Sequence, residues 1–180
     1  MLYTYKELLQ LYKSQYNITK MISSGMLFRV DDKIYSDKEN VSKLAVLSKR
    51  YPDAIVTMNS AFYYHSLTDD IPTKCYMVSK RNGTKIMADY VVQTFESEKT
   101  FALGKQFLEI RDALINIYSK ERMLIELIRN KNKLPFDYYK EIISSYRKMI
   151  DDLDVSLIED YACAMYRGDF IMETIQMEVF

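Results

Sequence analysis

An α+β fold is the class this sequence predicts: an N-terminal winged-helix-like module, then a mixed α/β domain with a helical C-terminus. Three observations predict it. Helical patterns open the chain and return after residue 119, short β-type segments with turn residues fill the middle, and no repeat or low-complexity stretch interrupts them. The 180 residues, 48% of them hydrophobic, suffice for a core domain with a small appended module. The expected division is 1–40 for a reduced winged helix-turn-helix and 41–180 for the remainder.

The elements follow in order. Thr4 can cap a helix from about Tyr5 to Lys13, with Glu7 in its first turn. After a polar break, Asn17 is the expected cap of a second helix, Ile18 to Ser24, closed by Gly25. Its apolar positions are Ile18, Met21 and Ile22, so Thr19, Lys20, Ser23 and Ser24 fall on the outer side. Leu27 to Val30 and Ile34 to Ser36 flank Asp31-Asp-Lys33 as a small hairpin. A module of this kind usually has three helices before its hairpin, and the chain has room for two.

Val41 to Arg50 is a linking helix stopped at Tyr51-Pro52, and Ala54 to Thr57 is a short buried strand. Further strands are expected at 74–79, 90–96, 106–110 and 114–118, with a turn centred on Asn82-Gly83. Ser119 can cap a helix over 120–129; Pro135 opens another over about 137–149. Asp154 caps a third over 155–166, and the last runs 169–177.

Composition narrows the function. Cys75 and Cys163 are far apart and read as ordinary thiols rather than a disulfide framework. With one histidine and no cysteine cluster, no metal or other cofactor is expected. No apolar run reaches membrane-spanning length, and the start lacks a signal peptide's pattern, so a cytoplasmic location is expected. Net charge is zero but uneven. Residues 1–50 hold nine lysines and arginines against five acids, and residues 151–180 hold eight acids against Arg167 alone. A basic front hints at nucleic acid.

The stretch NSAFYYHSLTDDIP, Asn59 to Pro72, gathers the histidine, two tyrosines and two aspartates. A catalytic triad needs a positioned nucleophile, and no nucleophile elbow or glycine-rich phosphate loop is present. His65 therefore reads as a structural residue hydrogen-bonded through one ring nitrogen, and Asp69 and Asp70 as turn formers. Arg122 and Glu126, spaced i, i+4, form a helix pair of architectural value. The candidate DNA contacts are Asn17, Thr19, Lys20, Ser23 and Ser24 around the second helix, Arg29 and Lys33 on the hairpin, and Lys6.

These motifs together resemble the AbiEi-type antitoxins, the regulatory half of abortive-infection (type IV) toxin–antitoxin pairs. YNITKMISSGMLFRVDDKIYSD resembles the family's helix–Gly–wing segment. PDAIVTMNSAFYYHSLTDDIP resembles its Ser-Ala-Leu-Tyr-x-His-Gly-Leu-Thr-Asp stretch, with Ser60, Ala61, Tyr63, Tyr64, His65, Leu67, Thr68 and Asp69 matching. YSKERMLIELIRNKNKL resembles its Pro-Glu-Arg-Thr-Leu-x-Asp-Leu-Leu motif, with Arg122 matching and Glu126 in place of Asp. The resemblance implies a non-enzymatic, DNA-binding autorepressor on an inverted repeat in its own promoter, acting in phage defence. It also implies an antitoxin domain countering a nucleotidyltransferase-like toxin, with or without a stable complex, and a possible homodimer on DNA. The alternative is a protein-interaction module that has lost DNA binding, with the acidic tail and Met165, Met172 and Met177 facing a partner. An enzyme built on His65 with Asp69 or Asp70 is the remaining reading.

Overall fold

The structure is a computed structural model that describes residues 1–110 and 113–180. Contacts divide it into two compact units, Met1–Ala54 with Phe107–Asn116, and Ile55–Gln106 with Ile117–Phe180.

The first unit begins with a strand the sequence pattern did not announce, β1 (Leu2–Thr4). Thr4 then caps α1 (Tyr5–Tyr12): its hydroxyl accepts from Glu7 N, and Glu7 accepts from Thr4 N, a reciprocal capping box. Lys13, at φ 59°, turns the chain directly into α2 (Gln15–Ser23). This helix starts earlier than expected because Ser14 is its cap, accepting from Asn17 N at 3.2 Å. The hairpin is β2 (Phe28–Asp31) and β3 (Ile34–Ser36), with Lys33 at φ 58° in the turn. β1 pairs antiparallel with β3, Tyr3 opposite Tyr35, giving the order β1-β3-β2. α3 (Lys43–Arg50) packs on β1 and β3. The helix expected to link onward thus lies within the first unit, Met1–Ala54 with Phe107–Asn116.

Leu8, Ile18 and Leu27 form the centre under α1 and α2, ringed by Tyr3, Tyr5, Tyr12, Met21 and Tyr35. Ile22, expected inward, is 38% exposed. The chain doubles back at Met21, whose carbonyl accepts from Met26 N and Leu27 N, so Leu27 fills the place Ile22 would take.

A five-stranded sheet has the order β6-β5-β4-β8-β7, of which β4, β5 and β6 lie wholly in the second unit. β4 is Ile55–Val56, β5 Cys75–Lys80, β6 Val91–Glu96, β7 Lys105–Ile110 and β8 Ala113–Tyr118. β4 lies antiparallel to β5 and parallel to β8, and β5 and β6 are parallel. The Asn82-Gly83 turn is thus not a hairpin; the chain crosses back between two parallel strands. Gln93 pins that crossover, accepting from Ile86 N and donating to Ser79 Oγ and Thr84 O.

The helices are α4 (Met58–Tyr64), α5 (Glu98–Phe101), α6 (Lys120–Arg129), α7 (Phe136–Lys148), α8 (Val155–Ala164) and α9 (Gly168–Glu178). Ser119 and Asp154 cap α6 and α8 as expected, accepting from Arg122 N and Leu157 N. α6 is the unit's central element, with every residue from Arg122 to Ile128 buried. α4 ends in a two-bond turn: Leu67 N donates to Phe62 O and Ser66 N to Tyr63 O, with Ser66 at φ 58°. No helix among the described residues is long and apolar enough to cross a membrane.

Candidate nucleic-acid interface and the buried arginine motif

The outer side of α2 presents Thr19, Lys20, Ser23 and Ser24, all exposed. The hydroxyls are already used once: Thr19 donates to Gln15 O, Ser23 to Lys20 O and Ser24 to Met21 O. Each retains its lone pairs, so in these rotamers the row offers acceptors, suited to amino groups on base edges rather than to phosphates. Lys20 is exposed and has no ion-pair partner among the described residues, as are Lys6 on α1 and Lys33 in the hairpin turn. Asn17, expected as a cap, is instead the third residue of α2. Its amide donates to Tyr12 O at 2.9 Å and ties the end of α1 to α2.

The hairpin carries its own counter-charge. Arg29 reaches Asp32 at 3.1 Å and its Nε meets Asp31 O. Asp31 is held by Arg50 through two contacts of 2.9 Å. Of the hairpin's expected cations, Lys33 is therefore free and Arg29 is committed to a neighbour. The contact with Asp31 holds the Arg50 guanidinium above its ordinary pKa.

The residues of the NSAFYYHSLTDDIP motif serve the second unit's interior. Ser60 Oγ accepts from Tyr76 N at 2.9 Å and joins α4 to β5. His65 is 8% exposed, and its Nε2 lies 2.6 Å from Tyr118 O. A carbonyl only accepts, so Nε2 bears the proton and donates. Burial lowers the ring's pKa, against the smaller opposing effect of that bond. Tyr64 is half-buried and its neighbour Tyr63 meets it edge-on, centroids 5.4 Å apart. Asp69 and Asp70 are exposed in the turn that follows, where Asp70 N donates to Thr68 Oγ1.

Arg122 is fully buried. Its Nε and Nη2 both reach Glu126 Oε1, at 3.0 and 2.8 Å. Nη1 donates to the carbonyls of Thr100 and Leu103, and the guanidinium lies over the Tyr118 ring at 4.5 Å. Sequence reasoning missed the remaining members. Glu96, at the end of β6, accepts from Arg129 at 2.9 Å and lies 3.5 Å from Arg122. Arg129 also meets Glu126 at 2.7 Å. Burial raises the Glu96 pKa, but donation from Ser97 N, Arg129 and Thr100 outweighs it and the net shift is downward. Gly104 completes the fit: at φ 73°, a Cβ there would lie 2.4 Å from the Arg122 Cβ. Two arginines face two carboxylates, so the cluster balances internally.

Of the three tail methionines expected at a partner surface, Met165 is core at 7% exposure, Met172 is half-buried and Met177 is 76% exposed. Met165 is drawn inward because the chain turns there from α8 into α9.

The sequence matches no family model and no curated protein. Among solved structures, the crystal structure of the RV2827C protein from Mycobacterium tuberculosis is similar, with a TM-score of 0.60. The likeness covers 97% of this chain and 72% of that one at 12% identity, and at that identity it concerns the fold alone.

Proposed function

We propose that the chain is a DNA-binding transcriptional regulator whose first unit acts as a winged helix with α2 as the recognition helix. The observation that carries the reading is the order strand–helix–helix–hairpin with an antiparallel β1-β3-β2 sheet, combined with an α2 whose outer face is uncovered. α2 enters the major groove, with the Thr19, Ser23 and Ser24 oxygens toward base edges, while Lys20, Lys6 and Lys33 neutralise phosphates. The resemblance to AbiEi-type antitoxins extends the proposal: the operator is an inverted repeat in the chain's own promoter, and the second unit counters a nucleotidyltransferase-like toxin.

Mobility shifts on duplex DNA from the region upstream of its own gene test the reading. Binding should weaken steeply with salt, and Lys20→Ala should weaken it across all sequences and flatten the salt slope by about one. Absence of a salt-sensitive shift defeats the proposal.

A second reading, an antitoxin module that works through protein contact alone, is favoured by two observations: Arg29 is tied to Asp32, and Tyr16 on α2 is 75% exposed. Co-purification with the neighbouring gene's product, without any DNA shift, selects it.

A further inference from the structure

Three buried polar side-chain atoms in the described residues lack any hydrogen-bond partner: Ser48 Oγ, Asn116 Oδ1 and Tyr138 Oη. The first two belong to residues that line one cleft of about 450 Å³ in the first unit. That coincidence is informative, because buried polar groups are nearly always paired and each exception calls for a cause.

The orientation of Asn116 is fixed. Its Nδ2 lies 2.6 Å from Pro52 O, which only accepts, so the amide cannot be flipped. Oδ1 is left as an acceptor without a donor on a residue that is 9% exposed. Bulk water reaches neither this atom nor Ser48 Oγ.

The rest of the cleft states what else a ligand must be. Leu2, Ala45, Pro52 and Ala113 give it apolar walls. Phe107 and Leu114, 65% and 66% exposed, stand at its rim. The charged groups among the described lining residues are paired: Lys49 is 2.7 Å from Glu7, and the Met1 ammonium pairs with Asp37. Among the described residues, nothing there calls for an ion. The volume falls within the range of small-molecule sites, far above that of one water, and an apolar pocket with a few fixed polar groups is how such sites are built.

We propose that this cleft binds an uncharged, planar ring compound carrying an N–H donor, of the aromatic-amide class. Its ring lies against Phe107, its N–H donates to Asn116 Oδ1, and a side-chain rotation at Ser48 admits it and brings the hydroxyl to its carbonyl. Thr4 and Glu7, which cap α1, also line the cleft, so an occupant touches the start of the helix pair. The site stands independently of what α2 binds.

The experiment titrates benzamide into the full ¹⁵N-labelled chain, with acetophenone, which has the ring and carbonyl but no donor, as the control. Benzamide should shift the amide resonances of Ala45, Ser48 and Leu114, and acetophenone should bind about tenfold more weakly, the worth of one hydrogen bond. Phe107→Ala, at an exposed position, should keep the native spectrum and weaken benzamide by a similar factor. The proposal is overturned by unmoved cleft resonances, by equal affinity for the two compounds, or by a folded Phe107→Ala protein that binds benzamide as well as the parent.

Discussion

In the first unit, the Arg29–Asp32 pair joins side chains that are 61% and 55% exposed; in the second, Arg122 is fully buried against Glu96 and Glu126, themselves 16% and 11% exposed. The two arrangements obey different physics. An exposed pair gains little over water and is easily exchanged for another partner. A buried pair has lost its hydration, and stays favourable only while each charge keeps its donors and acceptors. The first unit's pair is thus readily exchanged with solvent, and the second unit uses charge to hold α6 against the α5 segment and β6.

The contrast can be broken at Arg122. Arg122→Met should remove ~3–5 kcal/mol of stability, read from urea unfolding, because Glu126 loses its two-bond partner inside the fold and the Thr100 and Leu103 carbonyls lose their donor. A loss below ~1 kcal/mol would place the cluster with surface pairs. Gly104→Ala should cost ~2–3 kcal/mol in the same assay, since the added Cβ meets Arg122 and the backbone is left-handed there.

A pH series sharpens the contrast at a third point. Burial holds the His65 pKa below its ordinary value, so the unfolded chain takes up the proton first as pH falls. Stability should be level above the unfolded value of about 6.5 and decline below it, toward the folded pKa. His65→Gln, which can still donate to Tyr118 O, should remove that decline. With one histidine in the chain, an imidazole NMR titration reads the same group directly. The smallest effect belongs to the first unit: Asp32→Asn should change stability by no more than ~0.5 kcal/mol. A larger loss would mean that the hairpin depends on its pair.

Local signals made much of this fold legible. Thr4, Ser119 and Asp154 were readable as caps because a short polar side chain before an apolar helical pattern has few other uses. His65 was readable as a residue hydrogen-bonded through one ring nitrogen, and Nε2 meets Tyr118 O. What escaped depended on distant partners. β1 is three residues long and acquires meaning only beside Tyr35 of β3. β5 and β6 pair in parallel with Gln93 gripping the loop between them, an arrangement that no period-two pattern reveals. Glu96 looked like any charged strand residue, because Arg129 lies 33 positions away. The Asn116 acceptor was likewise invisible: its amide is oriented by Pro52, 64 residues earlier.

The arginine cluster also bears on how this protein can change over generations. Replacing any one of Glu96, Arg122, Glu126 and Arg129 takes a counter-ion from the opposite charges it faces, so single substitutions lead downhill while a concerted exchange for apolar residues of matching volume need not. The four positions should therefore be inherited as a block, retained together or replaced together. The exposed hairpin pair is under no such tie, and Arg29 and Asp32 are free to drift one at a time. A lineage could thus alter the first unit's hairpin surface, step by step, while its second unit's interior stands still.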